Sequence, residues 1–266
     1  MPPLFPVTLV LHSVACTLYL VHVLWRAEAP NQKLGLVAWI VLALAFASQA
    51  ADIAWLCMRG LHPVANAREA VFFGAWLMCG AYLAATWRRR LPVVGALVAP
   101  AALVLDVATR LVPSQEIAHA GSTLGTLGMV HIALATTGIA LFGVGAGSAV
   151  AYIVAERRLK GKRKVVMGAG ASLETLDRLN RRCITLGFPI FTVAMVTGAM
   201  WAAQLPGVGV FTPQYAIATA AWLLYAGLLL LRLLAGWRGR RAAFITLAGF
   251  VSAATVMMIY VVRGAA

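Results

Sequence analysis

The sequence predicts an all-α bundle of about eight transmembrane helices, a single domain over 1–266, and three observations carry that prediction. First, 62% of the 266 residues are hydrophobic and 11% are charged, with a mean hydropathy of +0.88. A soluble chain of this length cannot hide so much apolar surface, because a single core leaves a large wet exterior. Second, the apolar residues come in runs of about 20, the length that crosses roughly 30 Å of hydrocarbon as helix. Third, they do not alternate with polar residues as the strands of a closed barrel do.

The expected spans, with ends good to a few residues, are 5–25, 35–58, 66–87, 92–112, 124–155, 183–203, 214–235 and 241–262. The breaks carry turn chemistry: Pro30-Asn31, Gly60 to Pro63, Pro92, Pro113-Ser114, Gly168 to Gly170, Pro206-Gly207 and Gly236 to Gly239. Ala27-Glu28-Ala29 mimics a cleavage site, but the preceding stretch lacks a basic leader and is long, so it reads as a retained first span. The fifth span exceeds the membrane and is expected to begin outside it or to continue as exposed helix through Arg158.

Charge gives the orientation. The side facing the first connection holds 18 of the 22 Lys and Arg residues; Arg59, Arg68, Arg110 and Arg263 are the 4 on the other. Lys/Arg bias sets topology, so a multi-pass protein of a bacterial inner membrane is expected, with both termini on the outer, periplasmic side. The net charge of +14 belongs to these cytoplasmic flanks. It accompanies no groove-reading module, which argues against nucleic acid.

The cytoplasmic loop, about 157–182, carries the run Lys160, Lys162, Arg163 and Lys164, which suits anionic lipid head groups and is a candidate docking surface for a partner. Ser172 to Arg182 reads as a short helix lying at the interface: Ser172 as N-cap, acids early, arginines late, and Leu173, Leu176 and Leu179 on one face. In the fifth helix, the glycine pairs 121/125 and 143/147 have the spacing that lets helices approach closely, or that gives access to a flat ligand.

Ionisable groups at membrane depth are costly and point to function. Asp52, Arg59, His62, Arg68, Glu69, Asp106, Arg110, Glu116 and His119 gather toward the outer face; mutual ion pairing is the structural alternative. His12 and His131 each lie about seven residues into their helices from that face, roughly 10 Å deep. Matched depth suits axial ligation of one haem iron, with Asp52, Arg59, Arg68 and His119 shaping the outer mouth. Packing histidines with satisfied nitrogens are the other reading. His22 is too deep to share that iron, and His62 and His119 fall in outer loops. Cys16, Cys57, Cys79 and Cys183 stand singly, without CxxC, and read as buried structural thiols. No metal beyond haem iron is expected, and neither paired carboxylates nor Gly-x-Ser-x-Gly points to a catalytic site. Internal repeats, common in transporters, are absent.

The second half is similar to a known family. The elements are Leu173-Glu174-x-Leu176-Asp177-Arg178-Leu179, Gly187-Phe188-Pro189, Thr197-Gly198-Ala199-x-Trp201-Ala202, Trp222-x-x-Tyr225, Gly236-Trp237-Arg238-Gly239-Arg240-Arg241 and Gly249-Phe250. Upstream stand Gly128-Met129-Val130-His131-Ile132 and Pro63-Val64-x-Asn66-x-Arg68-Glu69-Ala70. Together they resemble the cytochrome c assembly family, in its HemX/YpjD-type branch beside the CcsA haem-delivery proteins.

The resemblance implies a membrane protein that binds haem b or conveys haem toward apocytochrome c on the outer face, working with other cytochrome c assembly proteins in the bilayer. Relatives that handle haem carry a tryptophan-rich loop, WGxxWxWD, after the equivalent of Trp201-Ala202; here Leu205 to Gln214 reads LPGVGVFTPQ. No histidine follows His131, and Leu230 stands where one is expected. The resemblance therefore implies haem handling without full synthase activity, and not an enzyme. HemX-type relatives imply an alternative, a membrane regulator of haem biosynthesis that binds no haem and controls glutamyl-tRNA reductase through the cytoplasmic loop.

Overall fold

The computed structural model describes residues 2–24, 32–112, 125–161, 172–204 and 213–263. Among them the elements are helices only: α1 Phe5–Leu24, α2 Gln32–Met58, α3 Ala67–Thr86, α4 Pro92–Leu111, α5 Gly125–Lys160, α6 Leu173–Ala202, α7 Pro213–Leu234 and α8 Arg240–Arg263. All eight are long and apolar enough to cross a membrane. The expected all-α membrane bundle is what the chain forms.

Helix ends follow local chemistry. Asn66 caps α3, its side chain accepting from the Glu69 amide at 3.0 Å. Pro92 opens α4 at a position whose N–H would lack a partner in any case. Past α7, the turn to α8 needs positive φ, supplied by Gly236 and Gly239 at 63° and 68°.

Helix α1 shows why the bundle belongs in lipid. Its buried stripe holds Thr8, His12, Tyr19 and His22, whereas Val7, Val10 and Val14 are exposed. That polarity is inverted relative to a soluble helix, because lipid solvates valine and the bundle interior must satisfy the polar groups.

Two corrections concern the arginine-rich end. The span expected at 183–203 and the interfacial helix expected over Ser172 to Arg182 are one helix, α6, of 30 residues. The N-cap is as expected, since Ser172 Oγ accepts from the Thr175 amide at 3.1 Å. However, Leu176 and Leu179 pack into the core rather than against the membrane surface. No breaker separates Arg182 from Cys183, so helical bonding runs through the boundary that hydropathy suggests. Likewise α5 has 36 residues and extends through Lys160, about 54 Å at 1.5 Å per residue.

Helices α5 and α6 form the most extensive pair, through glycines on both. A Cβ on Gly138 would stand 3.2 Å from Phe191 Cβ, and one on Gly187 would stand 2.8 Å from Phe142. Gly143 and Gly147, singled out for their spacing, face Met78 and Phe250 or Leu97 and Val94 instead, so they serve packing against α3, α4 and α8. Gly121 lies outside the described residues. Of the four thiols, Cys79 and Cys183 are buried and Cys16 is half-buried, but Cys57 is exposed near the end of α2.

Candidate functional site

A cavity of about 270 Å³ opens between the start of α5, the end of α6, the start of α7 and the end of α8. Its wall is mostly apolar: Ile132, Ala135 and Ile139 from α5, Met195 and Ala202 from α6, Ala218 from α7, and Val256 and Met257 from α8. Polar groups are few: His131, Thr136, Trp201, Gln214 and Tyr215. Thr136 gives its hydroxyl proton to Ile132 O at 2.7 Å. An apolar wall with a few convergent polar groups is the usual form of a small-molecule site.

His131 is the imidazole in this wall. Its Nδ1 donates to Ala194 O at 2.7 Å, which fixes the tautomer and leaves Nε2 as a lone-pair donor. Metal-binding histidines are commonly held this way, the second nitrogen bonded to a carbonyl or carboxylate. The ring lies 6.0 Å from the Trp201 ring. It sits directly over Gly198, where a Cβ would come within 2.6 Å of His131 Cε1. Trp201 Nε1 is buried without a hydrogen-bond partner, an orphaned donor in the same wall. The residues present therefore suit a largely apolar ligand that takes an imidazole nitrogen and offers a hydrogen-bond acceptor.

His12 lies elsewhere. It is fully buried on α1, which packs on α2 and α4. Its Nδ1 lies 2.7 Å from Asp106 Oδ2 and its Nε2 lies 3.5 Å from Cys79 Sγ. Gln49 extends the network, its Nε2 donating to Asp106 Oδ1 at 3.1 Å and to Phe72 O at 3.0 Å. His131 meets α6 rather than α1, so the two histidines expected to act as one axial pair are not brought together.

The expected outer mouth is also dispersed. Asp52 accepts from the Leu4 amide at 2.8 Å and so ties the start of α1 to α2. Arg59 stacks over Trp55 at 4.6 Å, and Arg68 Nε donates to Thr109 O at 2.7 Å. None of the three lines the cavity. His62 is exposed beyond α2, and Glu116 and His119 lie outside the described residues. Of the basic run, Lys160 pairs with Glu156 at 2.8 Å, while Lys162, Arg163 and Lys164 lie outside the described residues, as does 205–212.

Sequence reasoning missed Asp106 and Cys79 as partners of His12, Gln49 as a partner of Asp106, and Met195, Tyr215 and Met257 as cavity wall. No local spacing links residues that meet only through tertiary packing. Trp201 carried a signal, since it belongs to the Thr197-Gly198-Ala199-x-Trp201-Ala202 element.

Residues 64–264 match the family model described as "Cytochrome C assembly protein". Among curated proteins, the chain is 26% identical over 247 residues to "Cytochrome c biogenesis protein CcsA" of Microcystis aeruginosa, covering 74% of this chain and 75% of that one. Its identity to the protein so named in Guillardia theta is 26% over 213 residues, 72% and 71% of the two chains. For the Picosynechococcus protein of that name it is 28% over 256 residues, 74% and 75%. No solved structure matches the chain.

Proposed function

The chain belongs to the cytochrome c assembly protein family, which gives it a role in cytochrome c biogenesis, and we propose that this role is to hold haem in the cavity beside His131. The observation that carries the reading is the Nδ1 to Ala194 O bond, because it leaves Nε2 as the unprotonated, ligating nitrogen of a cavity-wall residue. Haem, if bound there, would supply an iron that His131 could hold through a nitrogen.

The protein's part is to orient and to exclude water. Gly198 lets α6 approach the imidazole, so the ring is clamped between Ala194 and Trp201. Ile132, Met195 and Met257 keep the cavity dry, and Trp201 Nε1 offers a hydrogen bond to an acceptor at the edge of the ligand. His12 enters this scheme as support. Both of its nitrogens are engaged, so ligation through it would require breaking its contacts with Asp106 and Cys79.

The Lys/Arg distribution supports an orientation with the arginine-rich end cytoplasmic and the cavity at the outer end, in a bacterial inner membrane. With LPGVGVFTPQ in place of a tryptophan-rich loop, the sequence there carries no tryptophan, and we assign the chain haem handling rather than synthase activity. The test is genetic. Deleting the chromosomal copy should lower covalently haemylated cytochrome c, and the wild-type chain should restore it where His131→Ala does not. Full restoration by His131→Ala, at equal protein level, would contradict the assignment.

A further inference from the structure

A second cavity, of about 510 Å³, lies at the opposite, arginine-rich end, between α5, the first turns of α6 and the turn from α7 to α8. Tyr152, Arg178, Arg181, Arg182, Arg238 and Gly239 are in its wall, with the carboxylates of Glu174 and Asp177. Both carboxylates are already engaged. Glu174 pairs with Arg178, and Asp177 Oδ1 accepts from Arg232 Nη2 at 3.3 Å and from the Gly239 amide at 3.2 Å. Arg181, Arg182 and Arg238 are left without a counter-charge among the described residues.

Three guanidinium groups from two separate elements therefore converge on one cleft. Guanidinium forks match tetrahedral oxyanions, which they bind through paired hydrogen bonds. The wall is held open by its own contacts: Asp177 fixes the Gly239 amide, and a Cβ on Gly239 would come within 2.7 Å of Tyr152 Oη.

Exposed leucines flank the cleft residues along the chain. Leu186 follows Arg182 by one helical turn and is 62% exposed, and Leu234 at the end of α7 is 84% exposed. A soluble anion has no use for such a strip, whereas acyl chains do.

We propose that this cleft binds the phosphate of an anionic phospholipid, with Arg181, Arg182 and Arg238 on the phosphate and the acyl chains along Leu186 and Leu234. The site is independent of the haem cavity, so either assignment can fail alone. The full-length protein in neutral detergent is titrated with phosphatidylglycerol or phosphatidylcholine of matched chains, and bound lipid is counted by native mass spectrometry. Phosphatidylglycerol should bind at least about tenfold more tightly, since both lipids carry the phosphodiester but the choline ammonium of phosphatidylcholine is repelled by Arg181, Arg182 and Arg238. Arg181→Gln with Arg238→Gln should erase the preference, and Arg181→Lys with Arg238→Lys should keep part of it, since the charge remains without the paired hydrogen bonds. Equal binding of the two lipids by the wild type, a comparison that needs no variant, would overturn the proposal. So would binding of inorganic phosphate as tight as that of phosphatidylglycerol, which would mark a cleft for soluble anions.

Discussion

His12 Nδ1 lies 2.7 Å from Asp106 Oδ2, and both side chains are fully buried. With Cys79 and Gln49 they form a polar knot where α1, α2, α3 and α4 meet. In lipid such a knot is held because its members have no water to turn to. Removing one partner of a buried charged or polar pair strands the other, at a cost of about 3–5 kcal/mol.

His12→Ala and Asp106→Ala should therefore lower the thermal midpoint in detergent by several degrees or prevent purification of a monodisperse protein. Any folded fraction of His12→Ala should still take up haem. Loss of the haem spectrum from a fully folded, equally stable His12→Ala protein would return His12 to the ligand shell.

Gly198→Ala is the sharpest test of the α5–α6 approach. The new methyl group would stand 2.6 Å from His131 Cε1, so the ring or the helix must move. A cost of about 1–3 kcal/mol is expected from overpacking. Denaturation in mixed detergent should show it, together with weaker haem uptake. A variant as stable as wild type, with unchanged uptake, would mean that the close approach does not position the imidazole.

Asn180 ties α6 to three other helices at the other end. Its Nδ2 donates to Gly145 O at 2.9 Å, and its Oδ1 accepts from Arg232 Nη2 at 2.7 Å and from Thr246 Oγ1 at 3.3 Å. Asn180→Leu, close in size, leaves the Arg232 head without one of its acceptors and should cost about 1–3 kcal/mol. Proteolysis of the folded protein at the α7–α8 turn should then quicken, and unchanged cleavage would show that the network does not hold that turn.

The proposed orientation has its own readout. A single cysteine introduced at Arg89, between α3 and α4, should be shielded from a membrane-impermeant maleimide in intact cells. One introduced at Leu61, between α2 and α3, should react, in a background lacking the native thiols. The reverse pattern would invert the assignment.

Much of the fold was legible because lipid demands long apolar helices, and Pro and Gly mark the breaks between them. The run of α5 past the membrane and the Ser172 cap were legible too, but not the continuity of α6, whose first turns read as a separate helix. Hydropathy reports membrane depth, whereas helical bonding continues into water until a breaker intervenes, and neither α5 nor α6 meets one at the boundary. The site was legible in part. His131 stood out as an ionisable residue in an apolar helix, but its partner is the carbonyl of Ala194, and a carbonyl leaves no mark in a sequence. His12 stood out for the same reason and proved to belong to Asp106, because depth along a helix says nothing of which neighbour faces it.

Nε2 of His131 is proposed to meet haem in the α5–α8 cavity. The most direct test is the absorption spectrum, oxidised and reduced, of detergent-purified protein supplied with haem, for wild type, His131→Ala and His12→Ala. A Soret band in the wild type, lost in His131→Ala and retained in folded His12→Ala, is the expected result. A wild-type spectrum that His131→Ala leaves unchanged would contradict the claim.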